Sequence, residues 1–539
     1  MDETYAQNNE SQPTVEAWIL GSGTTSLASA VYLIQRANLL PHNVHILDSH
    51  VSLEAALYHI GDAVHGYDQF AGCLPVPVGA PLLKLLASIP SEQSHGYTVL
   101  DDIRKKSSNH MPAGHHCPTK FLVQNSNSRE LISLKGLGLS VKCRIKLALL
   151  MLKSEKGLER THIQDFMPNS FFRSVFWTIW TAQFGFQPRH SVIEFRRALR
   201  QYLRDFHHLS ILTCLDITGY YQNESVYLPI YLYLRNLGVD FHFDTKVRDI
   251  DTTTGQGGRQ KISRLNVLEK KSHITMEMGA HDIVILTLGS TTSGSSAGTD
   301  DYPPPTRSIE PDEEYDENWT IWLELITHGD AFGNPYNFCT RVDDSTLASF
   351  TVTTADTCLW EFLASVATHS EAGTYILLPK SNWELRLCIP MQPVFSQQPE
   401  NIRVIWGFAL FPKASGNYVQ KPMEACSGAQ VITEVLGHLD YHSMVHDTIS
   451  VPRLMPRMSS PLLVRSMTDR PEVIPPNTSH LALVGQFVEI PWYSCVDMSY
   501  GIRTAQIATS QLMGIPLPNG KNDHMGCTTR SLLRMLFWK

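Results

Sequence analysis

Two glycines and an aspartate carry the clearest chemistry in this chain. Gly21-Ser22-Gly23-Thr24-Thr25-Ser26 follows a short apolar run at 15–20 and precedes residues 27–39, where Leu27, Val31, Leu33 and Ile34 recur at helical spacing. Pro41 breaks that pattern, and a second apolar run, Val44-His45-Ile46-Leu47, ends at Asp48. A strand, a GxGxxS turn, a helix and a strand ending in an acid predict dinucleotide binding. Gly21 permits the tight turn and Gly23 lets the backbone approach a pyrophosphate. The helix start supplies N–H groups and a positive dipole end, and Asp48 accepts hydrogen bonds from ribose hydroxyls. Ser26 stands at the third position, where a small residue suffices. The competing reading is a purely structural Rossmann-like layer.

The elements that must hold this site come from a chain of 539 residues, 43% hydrophobic and 18% charged. That composition excludes disorder, collagen and a charge-rich coiled coil. A net charge of −8 provides no basic field, so no nucleic-acid partner is expected. Most of that charge sits in one place: Asp300 to Glu317 holds eight acids and one Arg. No uninterrupted apolar run of about 18 residues predicts a membrane span. The polar start at 1–14 does not read as a targeting segment, so the expected location is cytoplasmic. Ten scattered Cys without a CxxC read as free thiols.

Strands are expected at 239–242, 247–250, 281–288, 383–389, 402–411 and 481–485. Helices are expected at 82–88, 141–152, 171–186, 192–206, 226–237 and 501–513. The Ser/Gly/Thr-rich, then Pro-rich, then acidic stretch reads as a mobile loop. Trp177 and Trp180 lie three apart and read as core. His110, His115, His116 and Cys117 are metal-ligand types, but their spacing fits no zinc pattern, so a surface loop is preferred and no metal site is expected.

Beyond the nucleotide turn, motifs recur in order along the chain. They include Ser88-Ile89-Pro90-Ser91, Val99-Leu100-Asp101, Phe176-Trp177-Thr178-Ile179-Trp180, His190-Ser191 and Phe332-Gly333-Asn334-Pro335. Further on stand Ser381-Asn382-Trp383, Gly416-Asn417-Tyr418, Lys421-Pro422-Met423, Asp469-Arg470-Pro471, Gly485-Gln486-Phe487-Val488-Glu489 and Arg503-Thr504-Ala505. In these motifs, from about residue 17 to 516, the chain resembles the flavin-dependent oleate hydratases, also called the myosin-cross-reactive antigen family.

The resemblance implies an α/β fold: a discontinuous Rossmann-like FAD-binding domain with an inserted α+β substrate domain. The implied organisation is a tail at 1–14, FAD-domain parts at 15–140, 226–290 and 476–516, a helical substrate segment at 141–225, the acidic loop at 291–318, a substrate-binding domain at 319–475 and a basic amphipathic tail at 517–539. FAD contacts are expected at Gly21, Gly23, Ser26, Asp48, Gly72, Gly289, Ser290, Gly485, Gln486, Phe487, Glu489 and Arg503. The helix start near 501–503 is expected to face the flavin ring. The implied reaction is redox-neutral addition of water to an unsaturated fatty acid. The implied partners are a hydrophobic unsaturated small molecule or acyl chain and a second copy in a homodimer. The tail offers peripheral membrane contact or docks on its own domain.

The chain departs from the family at the chemistry. Where the family has a catalytic Glu stands Leu74, and where it has a catalytic Tyr stands Ala198. Cys73 in the same run reads as a reactive thiol or a small buried filler. The family's Thr, Asn and His on the substrate carboxylate become Cys388, Pro390 and Val394, which with Leu74 and Ala198 are expected to line the substrate pocket. Arg386 could pair a carboxylate, but its alternation with Leu385 and Leu387 points it to solvent. Replacement acid–base groups are sought at Asp68, at His59 and His65 in the same loop, and at Tyr220 beside Tyr221, where the family has a Tyr-rich run. Three functions stay open: a hydratase, a redox-neutral isomerase or cyclase on a polyene or polyketide-like substrate in secondary metabolism, and a non-catalytic flavin- or lipid-binding relative.

Overall fold

The computed structural model describes residues 15–50, 61–68, 80–109, 120–125, 128–131, 138–202, 223–305, 315–367, 374–390 and 392–518. Short, mostly apolar runs and a polar edge strand form a five-stranded parallel sheet. Its order is Leu481–Val484, Ile283–Thr287, Ala17–Leu20, Val44–Leu47 and Asp240–His242. The sheet draws its strands from three distant stretches of chain, so it closes only when the chain returns to it twice.

Helices Thr24–Ala37, Ala80–Ser88, Leu228–Leu237, Glu317–Leu325 and Met498–Leu512 share its core. The last of these lies tight against Thr24–Ala37. A Cβ on Gly501 would stand 2.3 Å from Thr25 Oγ1, so only glycine allows this approach. The helix expected from residue 501 begins at Met498, which puts Gly501 at the helix crossing rather than at the helix start. A three-stranded antiparallel sheet, Thr245–Thr254, Gln260–Glu269 and Ser272–Glu277, follows the edge strand Asp240–His242.

A separate eight-stranded mixed sheet runs in the order Ser296–Ala297, Thr448–Met455, Leu347–Thr354, Arg403–Ala409, Leu385–Ile389, Thr374–Leu378, Lys120–Asn125 and Ser128–Leu131. Both of its faces are covered. Ile376, Leu378, Leu387 and Ile405 meet helices Thr357–Val366 and Gly428–His438. Tyr375, Leu377, Cys388 and Trp406 meet the helical layer of Val141–Leu152, Val175–Phe184 and Val192–Tyr202. Along Leu347–Thr354 polar and apolar residues still alternate, at Ser349, Phe350, Thr351, Val352 and Thr353, yet both sides are buried, so the polar side does not mark solvent.

Residues 291–318 make several specific contacts where they are described. Ser296–Ala297 pairs with Leu454 and Arg453, and Asp300 Oδ1 accepts from Ser450 N at 2.9 Å. Asp316 caps helix Glu317–Leu325 through Trp319 N. Asp300, Asp316 and Glu317 are each bound by a backbone N–H group, which composition cannot reveal. Among the described residues no helix is long and apolar enough to cross a membrane. His59, His110, His115, His116 and residues 519–539 lie outside the described residues.

Candidate functional site

Four parallel strands end on one edge, and each leads directly into an expected binding residue. Strand order reverses at Ala17–Leu20, which places a crevice outside its carboxyl end. Gly21 has φ +93°, donates its N–H to Leu47 O at 3.0 Å, and faces Asn318 Oδ1 where a Cβ would project. Gly23 precedes helix Thr24–Ala37. Among the described residues no side chain caps that helix start, and nothing lies within 4 Å of where a Gly23 Cβ would stand. Backbone N–H groups and open space coincide, as an anion cradle requires.

Asp48 is 3% exposed. Its Oδ1 accepts from His50 N at 2.9 Å and from the His50 ring at 2.7 Å, while Oδ2 has no partner among the described residues. A buried carboxylate oxygen without a donor is costly, and a ribose hydroxyl would supply that donor. The hydrogen bond to Asp48 raises the His50 pKa. Nearby, Glu317 accepts from Val247 N at 2.8 Å, and burial, reinforced by the Asp48 charge, pushes it up to about 8. Tyr227 bonds Ser22 in the glycine turn, and burial pushes its phenol up to about 12. Tyr227, Glu317 and Asn318 carry no spacing signal that links them to Gly21; the fold alone gathers them.

The remaining expected contacts divide by role. Ser26 Oγ and Thr287 Oγ1 lie 2.8 Å apart and tie the helix to the third strand. Gly289, at φ +62°, takes the Phe487 ring where its Cβ would be, 2.6 Å away. The Phe487 ring itself turns into the core, 4.8 Å from Trp319 and 5.5 Å from Phe338. Ser290 O accepts from Trp319 Nε1 at 2.9 Å. Gly485 donates to Thr504 Oγ1, and Gln486 Nε2 donates to Cys495 O at 3.1 Å. Arg503 is 5% exposed, binds Gln506 at 2.9 Å, and keeps an Nε without a partner among the described residues. Glu489 is committed elsewhere, to Arg197 at 2.6 Å and Arg465 at 2.8 Å. Gly72, Cys73, Leu74, Tyr220 and Tyr221 lie outside the described residues.

On the helical side of the mixed sheet, Ala198 is fully buried in one cluster with Tyr375, Cys388 and Trp406. Tyr375 and Cys388 are cross-strand partners joined by a side-chain hydrogen bond. Burial pushes the Cys388 thiol up to about 12 and Tyr375 well above its ordinary value, so both stay neutral. Pro390 ends that strand, and Val394 packs apart with Tyr67, Phe395, Ile402 and Val404.

Two expectations change here. Arg386 is buried at 3%, not solvent-facing, because the sheet is covered on both sides. It bonds Thr181 Oγ1 at 3.2 Å and Glu384 at 3.3 Å, and its Nε has no partner among the described residues. Asp68, sought as an acid–base group, grips Arg453 through both carboxylate oxygens. The hairpin that carries it folds over strand Thr448–Met455, so Asp68 meets a cation instead of solvent. His65, in the same hairpin, pairs with Asp62 in an exposed position.

Between the two layers lies a buried ion network. Glu155, Glu194 and Glu489 face Arg196, Arg197, Arg465 and Arg470, one cation in excess. Burial alone would raise Glu194, but Arg470, Arg465 and Arg197 hold it down to about 2. Glu489 is likewise held low by Arg465 and Arg197 against its burial.

The parallel sheet with its glycine edge is Rossmann-like and is joined to a separate mixed sheet. The chain belongs to the MCRA family, whose profile it matches over residues 14–509. It is 28% identical to an oleate hydratase of Streptococcus pyogenes serotype M49 (strain NZ131) over 97% of this chain and 89% of that one. It is 26% identical to a linoleate hydratase of Lactiplantibacillus plantarum over 94% of each. Solved structures with partial likeness include an oxidoreductase from Methanosarcina mazei, at TM-score 0.45 and 12% identity, covering 90% of this chain and 99% of that one. Another is a flavoprotein/dehydrogenase from Cytophaga hutchinsonii, at TM-score 0.37 and 8% identity, covering 96% and 83%.

Proposed function

We propose that this chain holds FAD at the glycine edge and acts without net redox change on an unsaturated acyl chain. The observation that carries this reading is near-full-length similarity to an oleate and a linoleate hydratase, with the nucleotide cradle intact. Gly21, Gly23 and the uncapped helix start would take the pyrophosphate, and Asp48 Oδ2 the ribose. Ser26 would hold the helix in place, while Gly289, Ser290, Gly485, the backbone of Gln486 to Glu489, and Arg503 would border the flavin. When bound, FAD supplies a planar surface against which a substrate is oriented. The acyl chain would lie under the helical layer near Ala198, Tyr375 and Cys388, with Arg386 as the buried cation on the same sheet face.

Ala198 favours a second reading. A methyl group in a packed apolar cluster has no proton to give, which suits isomerisation, cyclisation or binding without chemistry. The test is purification followed by absorbance and product analysis. Yellow protein that converts oleate or linoleate to a hydroxy acid supports hydration. Yellow protein that binds these acids without hydrating them supports the second reading. Colourless protein that FAD cannot reconstitute defeats both.

A further inference from the structure

We propose that His45, Asp240 and His242 bind a divalent transition-metal cation at the outer edge of the parallel sheet. The three residues come from adjacent strands. Trp18, His45 and Asp240 stand in one cross-strand row, and His242 lies two residues beyond Asp240 on the edge strand. One donor atom from each of the three lies within 4.8 Å of the others. Two neutral imidazoles and one carboxylate form a borderline donor set suited to zinc, nickel, cobalt or copper rather than calcium or magnesium.

The local geometry supports a shared ion. Asp240 Oδ2 lies 3.0 Å from His45 Nδ1 and 2.9 Å from His242 Nε2. The second contact is as short as a hydrogen bond, yet its angles do not make one, and His242 Nε2 has no hydrogen-bond partner among the described residues. Donors bound to one cation at about 2.0–2.2 Å stand roughly 2.9–3.5 Å apart, whatever their mutual hydrogen-bond angles. On its far side, His45 Nε2 lies 3.7 Å from Glu16 Oε2, too far for a hydrogen bond, and has no hydrogen-bond partner among the described residues. Trp18 stacks on the His45 ring at 4.2 Å and 16°, which limits ring rotation.

Asp240 is half exposed, so water completes the coordination and the ion has an entry path. The site is separate from the glycine edge but mechanically linked to it. Asp48 N donates to His242 O at 2.9 Å, so a cation that clamps the edge strand also braces the backbone bearing Asp48.

The test uses tag-free protein stripped with a chelator, then titrated with zinc alone by calorimetry and with cobalt(II) by visible absorption. The expected result is one equivalent per chain, a cobalt spectrum with imidazole ligation, and a raised melting temperature. His242→Ala and Asp240→Ala are each expected to weaken zinc binding about 100-fold. The cooperative thermal transition of each zinc-free variant reports that it is folded. Absence of stoichiometric zinc binding to the parent overturns the proposal, as does binding that folded His242→Ala leaves unchanged.

Discussion

The carboxyl edge of the parallel sheet and the helical face of the mixed sheet bury polar groups in opposite ways. At the edge, among the described residues, polar groups are left waiting: an uncapped helix start, an unpartnered Asp48 oxygen and open space beside Gly23. Under the helical layer, charges are largely matched inside the protein, as Glu194 and Glu489 are by Arg197, Arg465 and Arg470. An incomplete set of partners marks a place built for a ligand. A nearly complete set marks a joint that holds two layers in register.

The largest effect should come from the joint. Glu194→Ala leaves buried guanidinium groups short of a counter-charge and should cost about 3–5 kcal/mol in urea unfolding. In the parent, Glu194 has a folded pKa near 2, below its ordinary value. Its contribution is therefore present above the unfolded pKa and fades as pH falls toward about 2, and the variant should lose that part of the acid sensitivity. Equal stability of variant and parent would break the contrast between joint and site.

Next comes Glu317→Gln, which should act in the other direction. The folded pKa of Glu317 is near 8, so the parent loses stability as pH rises from the ordinary glutamate range through about 8. The amide keeps an acceptor for Val247 N and removes the ionisation. Its advantage over the parent should be small at pH 5 and grow to about 3–5 kcal/mol by pH 9. A constant difference across that range would show that Glu317 ionises normally. Gly289→Ala strains a positive φ and drives a Cβ into the Phe487 ring. A loss of about 1–3 kcal/mol is expected, read by thermal unfolding, with reduced flavin retention.

The smallest change in stability should accompany the sharpest change in binding. Asp48→Asn keeps an oxygen for His50 and should shift stability by no more than about 0.5 kcal/mol. It should lower FAD affinity about tenfold or more, measured by flavin release, because a charged acceptor becomes neutral. Unchanged affinity would remove Asp48 from the cofactor site.

The nucleotide edge was legible because backbone geometry builds it. Glycines at a turn, a following helix and an acid at a strand end are fixed by local sequence, so Gly21, Gly23 and Asp48 stand on the edge where their spacing put them. The mixed sheet was not legible at Leu347–Thr354 or Arg386. The period-two pattern is present at both, but with both faces buried its polar side does not point to solvent. Phe487 and Glu489 were legible as a motif but not as contacts, since the ring fills the core and the carboxylate joins the ion network. Spacing also could not connect His45 with Asp240 and His242, which meet only because parallel strands from distant stretches become neighbours.

By itself, the sequence determined the class of fold, the nucleotide turn and the family, since each rests on short-range patterns of apolar spacing, glycine and motif order. Only the tertiary structure decided which charges neutralise one another. Pairs such as Asp68 with Arg453 and Glu194 with Arg465 lie hundreds of residues apart in the chain. Coulomb attraction and desolvation depend on distance in space and on burial, and neither is written in the spacing of residues along the chain.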